Sequence, residues 1–407
     1  MKKAILIDVI DPKISQVKAK KRLQELENLV KTFGGLVVVK TIQKKGFPDY
    51  DTYIGKGKVN EIIRLAEKHK ANLLVINNLL KPRQTFSLNE IFRKQESKLK
   101  TWDRVDLILK IFDKHAKSTE AKLQIELASI RHMGPRIFGM GIELSRQAGA
   151  MGVRAGQGES NIELMKRHLR KQELNIEKKL KHYETIRSGH RKRRKRQNLK
   201  TLALVGYTNA GKSTLLNALT NKGAYAADEL FATLDTRVGK LFFPGTDGIK
   251  DGKYQKGKEV LISDTIGFIQ DLPPELIEAF KSTLAETIEA DIILHVIDIK
   301  DPEVEMKIKV VEDILESLGL KDTPKIYVFN KTDKLTIKRK RKDTRLKAAM
   351  PAGKDTARKL GWIKPKKGED KLIPKLLKKY KHYTPVFVSA VTKENLEELK
   401  EVIKDRV

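Results

Sequence analysis

The feature that most constrains this chain is the stretch GYTNAGKST at residues 206–214. Gly206, Gly211, Lys212 and Ser213 fit the phosphate-binding pattern G-x-x-x-x-G-K-[ST]. An apolar run at 202–205 precedes the pattern, and leucines at helical spacing follow it. A strand, a glycine-rich loop and a helix in this order predict a nucleotide triphosphate site, because backbone N–H groups and the helix N-terminus hold phosphates there.

Two further motifs follow, each directly after an apolar run. VLISDTIGF carries Asp264, Thr265 and Gly267 in the pattern D-x-x-G, and KIYVFNKTD carries the tetrad NKTD at 330–333. The three motifs in this order predict a GTPase rather than ordinary turns that cap strands. Asp333 is expected to accept two hydrogen bonds from the guanine edge, which adenine does not offer, so GTP is favoured over ATP.

The residue types at these positions predict individual roles. Lys212 is expected to offset charge on the β- and γ-phosphates, and Ser213 to give its hydroxyl to magnesium. Thr233, in ELFATLDT, is expected to reach magnesium from a switch loop, with an ordinary strand-edge threonine as the alternative. Asp264 would bind magnesium through water, and Gly267 would give its N–H to the γ-phosphate. The predicted catalytic residues are therefore Lys212, Thr233 and Gly267, and the metal ligands Ser213, Thr233 and Asp264.

The whole predicted nucleotide site draws on five short segments of the chain. They are Gly206, Tyr207, Thr208, Asn209, Ala210, Gly211, Lys212, Ser213 and Thr214; Phe231, Ala232, Thr233, Leu234 and Asp235; Asp264, Thr265, Ile266 and Gly267; Asn330, Lys331, Thr332 and Asp333; and Val388, Ser389 and Ala390.

Phe268 follows Gly267 where many GTPases place a glutamine that orients the attacking water. A phenyl ring cannot position water. Hydrolysis is therefore expected to be slow until a partner, another loop or a monovalent cation such as K⁺ completes the site. Asn209 is a candidate carbonyl ligand for that cation, and an ordinary loop asparagine is an equal alternative.

The charge of the chain indicates its partners. The 407 residues carry a formal net charge of +32, which favours a polyanionic surface such as RNA or an anionic membrane. The sequence contains no cysteine, which excludes disulfides and thiolate metal sites. No run of apolar residues approaches a membrane span, so we expect a cytoplasmic protein without integral membrane association.

The chain is predicted to have three parts and an α/β fold. Residues 1–102 alternate strands and helices; residues 103–197 form a helical segment with a glycine-rich loop and a basic linker; residues 198–407 form a P-loop GTPase domain with a mainly parallel sheet. IGKGK at Ile54–Lys58 favours a tight loop before a helix over a nucleotide fingerprint.

Two basic segments are harder to interpret. The run at 188–196 is either a mobile linker or, slightly favoured, an RNA contact. The lysine-rich insertion at about 334–383 is interpreted as mobile or folding on binding, with Trp362, Tyr380 and Tyr383 available for stacking.

Several longer stretches resemble the HflX family of ribosome-associated GTPases. They are GYTNAGKSTLLNALT, FATLD, SDTIGFIQDLP and ADIILHVID, together with YIGKGKVNEI, WDRVDLILKIF and KLQIELASI nearer the amino terminus. The resemblance implies binding to the large ribosomal subunit and its RNA, with the glycine-rich loop approaching the peptidyl transferase region. In that loop GAMGVRAGQGESNIE departs from the family's usual pattern, which it matches at Gly156, Gly158, Glu159 and Glu163.

The partners expected from this reading are GTP or GDP and the ribosome, with the chain acting as a monomer. Two other functions stay open at this point. One is a nucleic-acid remodelling NTPase with a second purine site in the amino-terminal domain. The other, ranked last, is a membrane-surface GTPase that uses its basic segments on anionic lipid.

Overall fold

The computed structural model describes residues 1–132, 134, 155–197, 199–220, 237–244, 257–270, 276, 284–335 and 372–407. The chain forms two compact units, the first built mainly from Met1–Gly189 and the second beginning at His190. Among the described residues, no helix combines the length and apolar character needed to cross a membrane. The predicted three-part division at residues 102 and 197 stays a prediction.

The first unit is built on a parallel sheet of four strands in the order β2-β1-β3-β4. Parallel strands require crossover connections, and helices supply them here. The strands are β1 (Lys3–Ile10), β2 (Leu36–Lys44), β3 (Leu73–Ile76) and β4 (Lys100–Asp103), and the helices are α1 (Gln16–Phe33), α2 (Lys56–His69), α3 (Pro82–Lys94) and α4 (Arg104–His115). The alternation confirms the predicted small α/β domain.

Helices dominate the chain after β4. Asp103 caps α4, because its carboxylate accepts a hydrogen bond from the Asp106 N–H at 2.8 Å. The Asp106 carboxylate in turn accepts a hydrogen bond from the Asp103 N–H at 3.0 Å. Helix α5 (119–132) and helix α6 (Ala155–Arg196) pack through buried Leu127 and Ile176. Arg131 on α5 pairs with Glu173 on α6 at 2.8 Å. These contacts confirm the predicted helical region.

The basic run at 188–196 belongs to α6, which continues as far as Arg196. It is therefore not the mobile linker that was one reading of the sequence. Arg191 forms an ion pair with Glu289, and Arg194 pairs with Glu286 at 3.2 Å. These pairs give the run fixed partners within the second unit, which a charge count along the sequence does not show.

The second unit contains six strands in the order β10-β9-β8-β5-β7-β6. All neighbours are parallel except β6, which runs antiparallel to β7 at the sheet edge. This confirms the predicted mainly parallel sheet. The strands are β5 (Lys200–Val205), β6 (Arg237–Phe243), β7 (Lys258–Asp264), β8 (Ile292–Asp298), β9 (Lys325–Asn330) and β10 (Val386–Phe387).

The helices of this unit are α7 (Lys212–Thr220), α8 (Ala285–Ile288), α9 (Val304–Ser317), α10 (Leu372–Lys379) and α11 (Leu396–Arg406). The central strands are buried, with Leu204, Val260, Leu294 and Val328 fully inaccessible to solvent. Because the carboxyl ends of parallel strands meet at one edge, the loops after β5, β7 and β9 are brought together there.

The carboxyl end of the lysine-rich insertion packs into the core. Leu376 on α10 is fully buried, and Tyr380 is only 9% exposed. The ring of Tyr383 stacks on that of Tyr327 with centroids 4.3 Å apart. The two insertion tyrosines therefore serve packing, and the expectation that they are available for stacking on nucleic acid is wrong. Trp362 lies outside the described residues.

Candidate nucleotide site

Two glycines allow the phosphate loop to approach its neighbours. Gly206, directly after β5, has φ +155°, and a Cβ there would lie 2.2 Å from the carbonyl oxygen of Val296 on β8. Gly211 has φ +92°, and its Cβ would lie 2.3 Å from Asn330 Nδ2. A side chain at either position would collide with its neighbour, so the glycines of the motif are required by packing as well as by conformation.

Lys212 is buried at the start of α7, with 7% of its surface exposed. Its Nζ donates to the carbonyls of Gly206 at 3.1 Å and Tyr207 at 3.0 Å, across the loop. Burial lowers the pKa of Lys212 to about 8; the Asp264 carboxylate opposes this effect and the charge of Lys331 adds to it. A cation held away from water interacts strongly with a phosphate that enters the loop.

Ser213 and Asp264 form the candidate metal site. The Ser213 hydroxyl donates to Asp264 Oδ2 at 2.6 Å. Asp264 ends β7 and is fully buried, and the next residue, Thr265, donates to the Leu204 carbonyl at 2.6 Å. Hydroxyl and carboxylate oxygens are the ligands that magnesium prefers, so this donor set fits the predicted ion.

The predicted switch loop lies outside the described residues. The positions concerned are Phe231, Ala232, Thr233, Leu234 and Asp235. The proposed magnesium ligand Thr233 therefore stays a prediction.

The D-x-x-G segment is hydrogen-bonded to the phosphate loop. The Phe268 N–H donates to the Gly206 carbonyl at 3.1 Å, and the Thr208 N–H donates to the Phe268 carbonyl at 2.8 Å. Gly267 lies against the lysine, since a Cβ there would be 2.9 Å from Lys212 Nζ. Phe268 itself is 2% exposed. The residue after the switch glycine is thus a buried packing residue, and it holds the two motifs together through its backbone.

Asn330 connects three of the predicted segments. Its Nδ2 donates to the Ala210 carbonyl at 3.0 Å, and its Oδ1 accepts the Ala390 N–H at 3.0 Å. Lys331, in the left-handed conformation at φ 66°, donates from Nζ to the Asn209 carbonyl at 2.6 Å. The phosphate loop, NKTD and the loop after β10 therefore lie in one place, while their roles in nucleotide binding stay predictions.

Asp333 is oriented by the same loop after β10. Its Oδ1 accepts the Ser389 hydroxyl at 2.6 Å, and the Ser389 oxygen in turn accepts the Thr392 N–H at 3.1 Å. The Thr332 N–H donates to the Val388 carbonyl at 3.3 Å. Hydrogen bonds thus fix the carboxylate that is predicted to recognise guanine.

Asp298 lies at the site, although no motif in the sequence indicates it. Its carboxylate forms an ion pair with Lys331 Nζ at 2.8 Å. The sequence shows only that Asp298 ends an apolar run; the pairing of β8 with β9, which brings Lys331 beside it, is seen in the structure.

The IGKGK stretch has a local structural role. Gly55 precedes α2 as its N-terminal cap residue, and its N–H donates to Gln43 Oε1 at 3.1 Å. Ile54 is fully buried. This is the tight loop before a helix that the sequence favours over a nucleotide fingerprint.

Comparison with known families matches three consecutive parts of the chain. Residues 20–113 match the family described as GTP-binding GTPase N-terminal, and residues 115–194 match the GTP-binding GTPase middle region. Residues 201–331, which contain the phosphate loop and the first two residues of NKTD, match the family described as 50S ribosome-binding GTPase.

Individual relatives agree with these matches. The GTPase HflX of Caldanaerobacter subterraneus subsp. tengcongensis is 44% identical over 82% of this chain and 73% of its own length. The GTPase HflX of Alkalihalophilus pseudofirmus is 42% identical over 77% of this chain and 70% of its own length. A crystal structure of a complex of SsGBP and GDP is 26% identical, covers 100% of this chain and 98% of its own, and has a TM-score of 0.49. On the sequence identities and the family matches, this chain is a GTPase and belongs to the HflX family.

Proposed function

We propose that this GTPase associates with the large ribosomal subunit in its GTP state and leaves after hydrolysis. The observation that carries the proposal is the match of residues 201–331 to a family described as 50S ribosome-binding GTPase. The net charge of +32 supports a partner rich in phosphate, and ribosomal RNA is such a partner. A factor of this kind would act in the cytoplasm, as a monomer.

Helix α6 offers a basic surface for that contact. Many of its cationic side chains are exposed: Lys166, Arg167, Arg170, Lys171, Lys178, Lys179, Lys181, Lys192, Arg193 and Arg196. Cations spaced along one helix neutralise phosphates and release counterions, which makes binding strongly dependent on salt. We therefore assign residues 103–197 to ribosome binding, residues 198–407 to the nucleotide and residues 1–102 to a separate α/β domain.

The site residues suggest how nucleotide and ribosome are coupled. Magnesium, held by Ser213 and Thr233 and through water by Asp264, would offset phosphate charge when bound. Lys212 would move its ammonium from the loop carbonyls of Gly206 and Tyr207 to the β- and γ-phosphates. Gly267 would place its N–H toward the γ-phosphate, so D-x-x-G would change position when that group is lost.

Slow hydrolysis in the free protein is part of the proposal. The buried side chain of Phe268 supports it, because this position provides no group to orient water. A ribosomal group or a K⁺ ion near Asn209 would supply what is missing. If K⁺ contributes, turnover in potassium buffer should exceed turnover in sodium buffer, and equal rates would remove the cation from the proposal.

Cosedimentation tests ribosome binding. The full-length protein is mixed with purified large or small subunits and a nonhydrolysable GTP analogue, GDP or no nucleotide, at moderate salt. We expect the protein to pellet with large subunits when the analogue is present, and Lys212→Ala to lose this dependence. Pelleting that is equal in all nucleotide states, or that favours the small subunit, would refute the proposal.

A further inference from the structure

The first unit contains a cavity beside the edge strand β4. Its volume is about 780 Å³, and its walls come from α3, β4, α4 and α5. Sites for small molecules typically occupy about 300–1,000 Å³. The cavity is therefore large enough for a metabolite, and all of its lining residues belong to the first unit.

Two threonine hydroxyls in the cavity wall have no hydrogen-bond partner among the described residues. They are Thr85 Oγ1 on α3 and Thr101 Oγ1 on β4, in side chains that are 8% and 4% exposed. A helical threonine commonly donates to the carbonyl four residues earlier, as Thr220 does to Leu216 at 2.7 Å. Thr85 does not. A buried hydroxyl without a partner costs free energy, and these two differ from other such hydroxyls in lining a cavity, so a polar group of a ligand that bonded them would be stabilised.

The wall around these hydroxyls is fixed in place. Asn89 Oδ1 on α3 accepts the N–H of Thr101 at 3.0 Å. This bond ties the outer edge of β4 to α3 and occupies a donor that an added strand would need. The cavity is thus suited to a small molecule rather than to an extended peptide.

Lysines lie together at the same strand. Lys100 and Lys110 line the cavity, and the Nζ of nearby Lys2 lies 3.9 Å from the centre of the Trp102 ring. Burial, and then the charges of Lys100 and Lys110, lower the pKa of Lys2. Within the described part of the chain, no carboxylate forms an ion pair with any of these three ammonium groups. Lys122 and three carboxylates line the cavity as well, so its wall is not positive overall, but the mutual proximity of these three ammonium groups favours an anionic group of a ligand beside β4.

The wall also carries acceptors for hydroxyl groups. Asp106, Asp113 and Glu126 line the cavity. Asp106 is already engaged, because one oxygen accepts the Asp103 N–H at 3.0 Å and the other lies 3.3 Å from His132 Nε2. Asp113 and Glu126 are suited to accept hydrogen bonds from ligand hydroxyls, which could at the same time accept bonds from the threonines.

We propose that this cavity binds a small hydroxylated organic anion, whose carboxylate or phosphate is held by Lys100 and Lys110 and whose hydroxyls bond Thr85 and Thr101. A nucleotide fits less well. The aromatic wall residue Trp102 already contacts Lys2 on its face and the ring of Phe33 at 5.3 Å, which leaves little aromatic surface for a base. The proposal concerns the first unit alone and does not depend on ribosome binding.

Titration calorimetry and thermal unfolding test the proposal on the full-length protein. Saturating GDP is present throughout, so that phosphates do not report on the GTP site. The probes are citrate, glucose 6-phosphate, glucose and inorganic phosphate. We expect citrate or glucose 6-phosphate to bind and raise the Tm, and glucose and inorganic phosphate to bind at least about tenfold more weakly, because each lacks one of the two recognised features. Citrate alone would identify a carboxylate ligand, and glucose 6-phosphate alone a phosphate ester. Failure of both would overturn the proposal.

Matched variants locate the binding. Thr85→Val and Thr101→Val remove an unpartnered hydroxyl while keeping the side-chain shape, so we expect a higher Tm without ligand and about tenfold weaker binding. Thr287→Val is the control, because Thr287 Oγ1 is buried in the second unit and also has no partner in the described residues. It should raise the Tm and leave binding unchanged.

A lysine pair completes the test. Lys110→Gln should lower the affinity for the anion by about tenfold. Lys68→Gln, on the exposed surface of α2 outside the cavity, should leave that affinity unchanged. Anion affinity that is unchanged in the two threonine variants and in Lys110→Gln would place the binding elsewhere and refute the proposal.

Discussion

The side-chain amide of Asn330 donates to the Ala210 carbonyl at 3.0 Å and so joins two motifs that lie 120 residues apart. The same side chain accepts the Ala390 N–H. Asn330 is 2% exposed, so both bonds are shielded from water. The phosphate loop, the NKTD loop and the loop after β10 therefore form one hydrogen-bonded structure, and damage to any of them should affect the others.

Replacement of Asn330 by alanine tests this connection. The variant leaves the Ala210 carbonyl and the Ala390 N–H without their partner, which we expect to lower the free energy of unfolding by about 1–3 kcal/mol. Urea unfolding of the nucleotide-free protein measures it. Asn28→Ala, which removes only an exposed contact of 3.5 Å with Gln24, is the control and should change stability by less than about 0.5 kcal/mol. Equal losses of stability in the two variants would contradict the role of Asn330 in joining the two loops.

Phe268→Gln tests the interpretation of the residue after D-x-x-G. Because Phe268 is 2% exposed, a glutamine there would bury an amide in the core instead of orienting water. We expect no gain in GTP turnover and a loss of about 2–4 kcal/mol in stability. A single-turnover assay and urea unfolding measure the two effects. A clear rise in turnover would show that position 268 reaches the nucleotide.

The lowered pKa of Lys212 predicts how stability depends on pH. Below about pH 8 the lysine is charged in both states, and burying that charge opposes folding. Between about 8 and the ordinary value of 10.5 the folded protein releases the proton first, so the stability of the nucleotide-free protein should rise with pH. The contribution is on the order of 3 kcal/mol across this window.

Lys212→Met isolates this effect from other titrating groups. The variant should be more stable than the wild-type protein at pH 7, and the difference should shrink as pH rises toward 10. Urea unfolding at several pH values, without nucleotide, measures it. A difference that stays constant with pH would mean that burial does not depress the pKa of this lysine.

The glycines of the phosphate loop give a prediction with an internal control. Gly206 has φ +155°, and Gly206→Ala would place a Cβ 2.2 Å from a backbone oxygen. We therefore expect the free energy of unfolding to fall by more than about 2 kcal/mol, or the variant to fail to fold. Gly57→Ala, inside α2 with no atom within 4 Å of the new Cβ, should stabilise the protein by about 0.5–1 kcal/mol. Thermal unfolding compares the two, and similar effects would contradict the close packing of the loop.

The sequence alone is enough to locate the motifs that follow buried strands. The loops at 206–214 and 330–333 could be predicted because each comes directly after an apolar run, and parallel strands bring their carboxyl ends to one edge. The contribution of Asp298 could not be predicted, because its ion pair with Lys331 depends on β8 lying next to β9.

Tertiary packing explains the errors. Tyr380 and Tyr383 follow a lysine-rich stretch that resembles a mobile segment, yet α10 buries Leu376 and brings both rings against Tyr327. The basic run at 188–196 is helical, and two of its arginines pair with glutamates at 286 and 289, which contradicts only the mobile-linker alternative; the favoured RNA contact stays a prediction. Such long-range partners leave no signal in local composition.

Partner-dependent hydrolysis is measured as GTP turnover with and without purified large ribosomal subunits. We expect slow hydrolysis by the free protein and an increase of at least about tenfold with large subunits, because a partner supplies what Phe268 does not. The increase should weaken as salt rises. Turnover that is the same with and without large subunits, or that small subunits raise equally, would contradict this expectation.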